Sequence, residues 1–313
     1  MADFLVGANL PWLDYGQDFG ASAWRPRGGL AQPDRRETAR RELGRLAERG
    51  GTLVRWWLLG DGRAGLRERA GEVSPDERLL EDVDAAVALL REAGLRALLV
   101  LTDFLWFRPR QQDGAVALFG RADLVRDASR RAVLVERVFG ALADRFGREP
   151  AVHAWDLLNE PEWATLGVGT LDPRSAIAAG EMRAYLGELC ALFHARATQP
   201  VTVGLASVRG LPLLEGLPVD FHQVHWYEQN DDVASLSRPV ATRDLGGREM
   251  LLGEFPTRGC SLAPEEILVR ARDAGYCGAL AWSLLATDHA TDGAACAAAL
   301  GDWSRRGDGE SLA

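Results

Sequence analysis

Val152-His153-Ala154-Trp155-Asp156-Leu157-Leu158-Asn159-Glu160-Pro161 is an apolar run that closes on an amide, an acid and a proline. It reads as a β-strand over 152–159 that leaves its sheet at a turn. Helical patterns flank it at 127–146 and 173–197, and the same unit recurs outward in both directions. Strands are expected at 4–9, 52–59, 95–102, 201–206, 221–226, 249–254 and 278–283. Helices are expected at 34–49, 75–93 and 264–274, with a short one after Arg209, a weak one near Asp232 and a last one at 293–303. Ser74-Pro75 and Asp172-Pro173 look like helix starts, Ala93-Gly94 like a helix stop, and 25–32 like a loop. Strict alternation of strand and helix means an α/β protein with a parallel sheet. Eight such units make a single-domain (β/α)8 TIM barrel over 1–303, with a polar C-terminal tail at 304–313. A doubly wound sheet would need a glycine-rich phosphate turn after the first strand. The nearest approach, Gly167-Val168-Gly169, lacks both a third glycine and a preceding strand.

The barrel also resolves the length, since 313 residues suit either one large barrel or two ordinary domains. Thirty-six basic against 45 acidic residues give a net charge of -9, the wrong sign for a chain that tracks a nucleic-acid backbone. All 36 basic residues are arginine, which excludes a Schiff-base lysine and a phosphate-loop lysine alike. Cys190, Cys260, Cys277 and Cys296 form no C-x-x-C pair and are expected as reduced thiols. The N-terminus has neither the basic nor the long apolar region of a secretory signal, and no apolar run is long enough to span a bilayer. A cytoplasmic protein without membrane or nucleic-acid partners is therefore expected, unless a leader has been removed. The sequence says nothing of oligomeric state.

In a barrel, reacting groups belong at the C-terminal ends of the strands. Those ends carry Asn9 with Trp12, Arg55 with Trp57, Asp103 with Trp106, Asn159 with Glu160, Ser207, His225 with Tyr227, Glu254, and Trp282. Carboxylates, amides, an imidazole, a phenol and indoles without a metal-ligand cluster are the inventory of a carbohydrate site that uses no cofactor and no metal. Glu160 and Glu254 are 254 minus 160, or 94, residues apart, which fits three βα units and lets two strand-end carboxylates face each other across the mouth. Glycoside hydrolysis needs such a pair.

Asn159-Glu160-Pro161 on a fourth strand, His225-Trp226-Tyr227 on a sixth, Gly253-Glu254-Phe255 on a seventh and Trp282 on an eighth resemble the retaining glycoside hydrolases of clan A. The likeness is closest to family 5, with its cellulases and mannanases. It implies a retaining β-glycoside hydrolase acting on β-glucan or β-mannan by double displacement, with Glu160 as acid/base and Glu254 as nucleophile. It also implies that Arg55 holds the nucleophile ionised, that Tyr227 lies near it, and that Trp282 forms the platform under the sugar. One feature departs from the family: where many members carry a histidine at the end of the third strand, this chain has Asp103.

Plainer readings stand beside these. Arg55 equally suits an interior ion pair with Asp156, and both roles are compatible. Trp12, Trp57, Trp106 and Trp163 suit either the cleft or the core, whereas Trp155 and Trp303 suit the core. His222 and His225, three apart on a strand, point to opposite faces, and His153 and His194 suit structural roles. The rival functions are a metal-dependent barrel isomerase or hydrolase built on His153, His222 and His225, and a sugar-binding barrel that has lost catalysis.

Overall fold

The structure, a computed structural model, describes residues 4–69, 72–170 and 176–306. Eight parallel strands close into a barrel, here labelled β1 (Leu5–Leu10), β2 (Leu53–Trp57), β3 (Arg96–Val100), β4 (Val152–Asn159), β5 (Val201–Leu205), β6 (His222–His225), β7 (Met250–Pro256) and β8 (Gly278–Trp282). Each pairs with its sequence neighbours, and β8 closes on β1 through Leu5 against Gly278. All eight expected strands are present, each within two or three residues of its expected bounds.

Strand alternation sorts side chains into layers. At the lower end Leu53, Leu98, Ala154, Leu251 and Leu280 fill the barrel as a dry plug. Above it stand Arg55 and Asp156, both fully buried. Trp56 and Trp155 point outward into the strand-helix core, where Trp155 packs on Phe193 with centroids 4.8 Å apart. The register slips between Asp156 and Asn159 in β4, between Val224 and His225 in β6, and between Leu252 and Phe255 in β7. Such slips re-aim side chains and increase local twist. Strict alternation would put Asn159 and Glu160 on opposite faces; the slip in β4 resets alternation ahead of Asn159, and the left-handed backbone of Glu160, at φ 50°, turns its side chain to the same mouth.

Several expected boundaries move. The helix expected at 75–93 runs Leu79–Ala93, because Ser74 and Pro75 belong to a hairpin of Leu66–Arg69 with Glu72–Pro75. Asp76 is the true start signal: its Oδ1 accepts from the backbone N–H of Arg78 and Leu79, both at 2.8 Å. The stop at Gly94 stands, with a left-handed φ of 68°. The helix expected at 127–146 is four pieces, Ala122–Arg126, Ala128–Leu134, a π turn over Val135–Phe139 and Gly140–Phe146, and Asp127 caps the second. A second hairpin, Gln111–Asp113 with Val116–Leu118, follows β3. The last helix spans Gly293–Arg306, beyond the tail boundary expected at 304, and its Trp303 packs on Phe4 with centroids 5.1 Å apart. Residues 307–313 of that tail, and the helix start expected at Asp172-Pro173, lie outside the described residues. All four cysteines are free thiols. No described helix is long and apolar enough to cross a membrane.

Candidate active site

Arg55 is the centre from which the site is built. Its Nε donates to Asp156 Oδ2 at 2.8 Å, its Nη1 to Glu254 Oε1 at 2.6 Å and to Asn9 Oδ1 at 3.2 Å, and its Nη2 to Asn159 Oδ1 at 2.7 Å. Burial works against the guanidinium charge, but Asp156 and Glu254 more than restore it, so the group is held as a cation. Both sequence readings of Arg55 hold together: one edge of the fork faces the interior aspartate and one tip faces the nucleophile candidate. Its carbon Cζ also lies 4.3 Å from the centre of the Trp57 ring.

Two further arrangements fix the fork. Asp156 Oδ2 accepts from Gln223 Nε2 at 2.9 Å and Oδ1 from the Gly204 N–H at 3.0 Å. Gly204 leaves just the room this needs, since a Cβ there would stand 2.5 Å from Arg55 Nη2.

Glu254 and Glu160 face each other over this layer. Tyr227 donates its hydroxyl to Glu254 Oε2 at 2.8 Å. Burial pushes the Glu254 carboxyl above its ordinary value, while Arg55 and the Tyr227 hydroxyl pull it back. Glu160 has a left-handed φ of 50°, uncommon for a side chain of its size, and that kink turns it into the mouth. Its Oε2 accepts from Trp163 Nε1 at 3.0 Å and its Oε1 lies 2.9 Å from His225 Nδ1. Desolvation raises Glu160 to about 7, against the pull of Arg55 and the Trp163 N–H. Burial drives His225 down to about 4, so at neutral pH the ring is uncharged, and its Nε2 has no partner among the described residues. One oxygen of Glu160, one oxygen of Glu254 and a ring nitrogen of His225 all lie within 4.8 Å of one another.

Comparison with known proteins bears on this geometry. No family model matches the chain. A mannan endo-1,4-β-mannosidase of Mytilus edulis is 22% identical over 326 residues, spanning 90% of this chain and 83% of that protein. The crystal structure of an endo-1,4-β-mannanase from Eisenia fetida superposes with a TM-score of 0.77 at 19% identity, covering 96% of this chain and 90% of that one. A family 5 enzyme from Streptomyces cattleya, solved with Manβ1-4GlcNAc, gives 0.69 at 13% identity over 99% and 82% of the two chains. The fold is that of the family 5 glycoside hydrolases of clan A.

On this barrel, most of the expected site residues gather and a few do not. Trp12, Trp57, Asp103 and Trp282 line one cavity, linked to Glu254 through the Arg55 guanidinium that lies against the Trp57 ring, with Trp57 edge-on to Trp282 at 5.8 Å between centroids. Trp163, which donates to Glu160, lines a separate cleft with Glu162 and Arg209 and has 41% of its surface exposed. Asp103 Oδ2 accepts from Asn159 Nδ2 at 2.8 Å and from Trp57 Nε1 at 3.3 Å, and desolvation raises it to about 7. The Asn159 amide is thus oriented from both ends, by Arg55 and by Asp103. Asn9 does not face the cavity; its Nδ2 donates to the Gly253 carbonyl at 2.9 Å and it serves Arg55 from within the barrel. Trp106 is fully buried core, its Nε1 donating to the Leu59 carbonyl at 3.1 Å, so its place among the cleft candidates is corrected.

The histidines of the metal-dependent rival do not assemble. His153 lines a hollow at the opposite end of the barrel with Arg96 and Cys277, and His222 turns to the backbone of Leu245. Three contributors escaped sequence reasoning. Asp288 Oδ2 holds the Trp282 indole N–H at 2.8 Å. Asp18, raised by burial to about 6, accepts from the Leu13 and Asp14 N–H groups and from Trp56 Nε1 below the cavity. Glu162 is buried and raised by desolvation to about 8. Asp18 and Asp288 lie in loops and Glu162 in a single 3-10 turn, where acids are common, and no apolar run beside them in the sequence marks their burial.

Proposed function

We propose that the protein is a retaining β-glycoside hydrolase acting on chains of the β-mannan type. The observation that carries this is the approach of the two carboxylates, with one oxygen of each inside 4.8 Å. Retaining enzymes hold their carboxyl groups about 5 to 5.5 Å apart, and inverting ones leave room for a water at roughly 6.5 to 9.5 Å. The mannan assignment is supported by the names of the relatives, mannanases of Mytilus edulis and Eisenia fetida.

Each group has a role its surroundings suit. Glu254, beside the Arg55 cation and the Tyr227 hydroxyl, attacks the anomeric carbon as an anion. Glu160, protonated up to about pH 7, delivers its proton to the leaving oxygen. After the aglycone departs, the Glu160 carboxylate takes a proton from the attacking water, and the sugar leaves with its β configuration restored. Trp282 offers its ring to the sugar, fixed by Asp288, and Trp57 stands edge-on beside it. Because Glu160 must be protonated and Glu254 ionised, activity falls on the alkaline side as pH passes about 7, and on the acid side above the ordinary carboxylate value of 4.5.

A metal ion shared by Glu160, His225 and Glu254 is the other use of three such groups. Their donor set does not fit one: a guanidinium at 2.6 Å, a phenol O–H and an indole N–H already point at the carboxylate oxygens, and the cation of Arg55 would repel a second.

The test is a panel of activated aryl β-mannoside, β-glucoside, β-xyloside and β-galactoside beside soluble mannan, with proton NMR of the first-formed product. The β anomer is expected from mannan; an initial α anomer overturns the assignment. Glu254→Gln should abolish turnover of the aryl glycoside, whereas Glu160→Ala should spare part of it, since a good leaving group needs little protonation. Equal collapse of both with every leaving group would sink the division of roles.

A further inference from the structure

The acid that protonates the leaving oxygen marks the aglycone side. Glu160 and Trp163 lie on that side, so the cavity of Trp282, Trp57 and Trp12 receives the glycone. That cavity does not end at Trp12. Tyr15 continues it, its ring centroid 4.3 Å from that of Trp12, and 36% of the Tyr15 surface is exposed. Arg63 then lies against Tyr15, with Cζ 4.4 Å from the ring centre, and reaches over the Trp24 ring at 5.5 Å.

This outer stretch is held in place. Arg63 Nε lies 3.0 Å from both carboxylate oxygens of Asp61, whose side chain is 1% exposed, and the arginine side chain itself is only 14% exposed. Gly16, at φ 63°, admits the arginine so closely that a Cβ there would stand 2.9 Å from Arg63 Cδ. Among the described residues Arg63 Nη1 has no hydrogen-bond partner, and 40% of Trp24 is left to solvent. A fixed guanidinium with spare donors beside an exposed indole matches a sugar ring, with C–H groups for the indole and hydroxyls for the donors.

We propose that Trp24 and Arg63 form a distal glycone subsite that binds a further sugar unit of a β-linked hexose chain, toward its non-reducing end. This rests on the hydrolase reading of the same cleft, and deepens it: the chain is gripped several units before the scissile bond, as internal cleavage of a polymer requires. A single terminal sugar would leave this stretch unused.

The experiment compares kcat/KM for an aryl β-mannoside with that for β-1,4-manno-oligosaccharides of increasing length, in wild type, Trp24→Ala and Arg63→Gln. The ratio of long-chain to aryl-glycoside kcat/KM should fall about tenfold in Trp24→Ala and less in Arg63→Gln, the size expected for one lost aromatic stack with its hydrogen bonds. An unchanged ratio at every length overturns the subsite, as does an equal loss on the aryl glycoside, which would signal a structural role. If wild type cleaves none of these compounds the hydrolase reading fails, and affinity electrophoresis in glucomannan gels decides the subsite separately. Retardation of wild type that Trp24→Ala loses keeps it; absence of retardation in wild type overturns it.

Discussion

At the scale of single residues, the site is a problem of holding one guanidinium still among four partners. Arg55 and Asp156 were recognisable as an interior pair from strand parity, and Glu160 and Glu254 from their places at strand ends. What parity could not give was their simultaneous contact, because the register slips in β4 and β7 reset alternation just before Asn159 and Glu254. Nor did it mark Gly204, whose lack of a side chain is felt only through the three groups around it. A Cβ at that position would stand 2.5 Å from Arg55 Nη2, 2.6 Å from Gln223 Nε2 and 3.0 Å from Asp156 Oδ2. Gly204→Ala should therefore displace the Arg55 fork from Glu254 and lower kcat on an activated aryl glycoside by roughly a hundredfold, the usual effect of misplacing a reacting group by about 1 Å. Circular dichroism should stay near wild type. An alanine variant with wild-type kcat would show that the guanidinium is not what positions the nucleophile.

At the scale of elements, the turn after β3 shows how near a sequence reading can come and still misassign. Asp103 and Trp106 stand three apart and were both placed at the cleft. Asp103 caps the 3-10 turn Phe104–Phe107 by accepting from the Leu105 N–H at 2.9 Å, and its other oxygen faces Asn159. That cap fixes the turn so that Trp106, one turn on, swings away beneath the loop after β2, where Leu59 accepts its N–H. Strand ends were legible because burial and polarity change abruptly there; the direction of a side chain within a short turn depends on the cap, which the sequence shows only as one more aspartate. The hairpins at Leu66–Pro75 and Gln111–Leu118 were missed for a related reason: their strands are three or four residues long and largely polar, so they carry no period that distinguishes them from loop. The corrected role of Trp106 is testable by stability. Trp106→Ala should cost about 3 to 5 kcal/mol in urea unfolding, as for any large aromatic removed from a packed core, and should leave KM for an aryl glycoside near wild type. A raised KM with little loss of stability would return Trp106 to the cleft.

At the scale of the whole molecule, the site draws on stability that the barrel supplies elsewhere. Five carboxyl groups at or near the cleft are raised chiefly by desolvation, Asp18 to about 6, Asp103 and Glu160 to about 7, Glu162 to about 8, and Glu254 in the same direction. A carboxyl whose folded pKa lies above its unfolded value favours the folded state while protonated, and that contribution is lost as pH rises through the folded pKa. His153 and His225, both lowered to about 4 by burial, act in the opposite sense: they are destabilising when acid would charge them, and that cost is gone once pH exceeds their unfolded value of 6.5. Between pH 4.5 and 6.5 the two kinds of group oppose each other. Above pH 6.5 the histidines no longer contribute, and Asp103, Glu160 and Glu162, with Glu254 acting in the same sense, set the slope, so stability falls. Heating followed by circular dichroism should show Tm dropping on the order of 5 °C between pH 6.5 and 8.5. Glu162→Gln, which removes the highest of these values without touching either reacting carboxylate, should flatten the upper half of that decline. A Tm that is level or rising over this range would mean that these carboxyl groups are solvated rather than buried, and with them would go the reason that Glu160 holds its proton near neutrality.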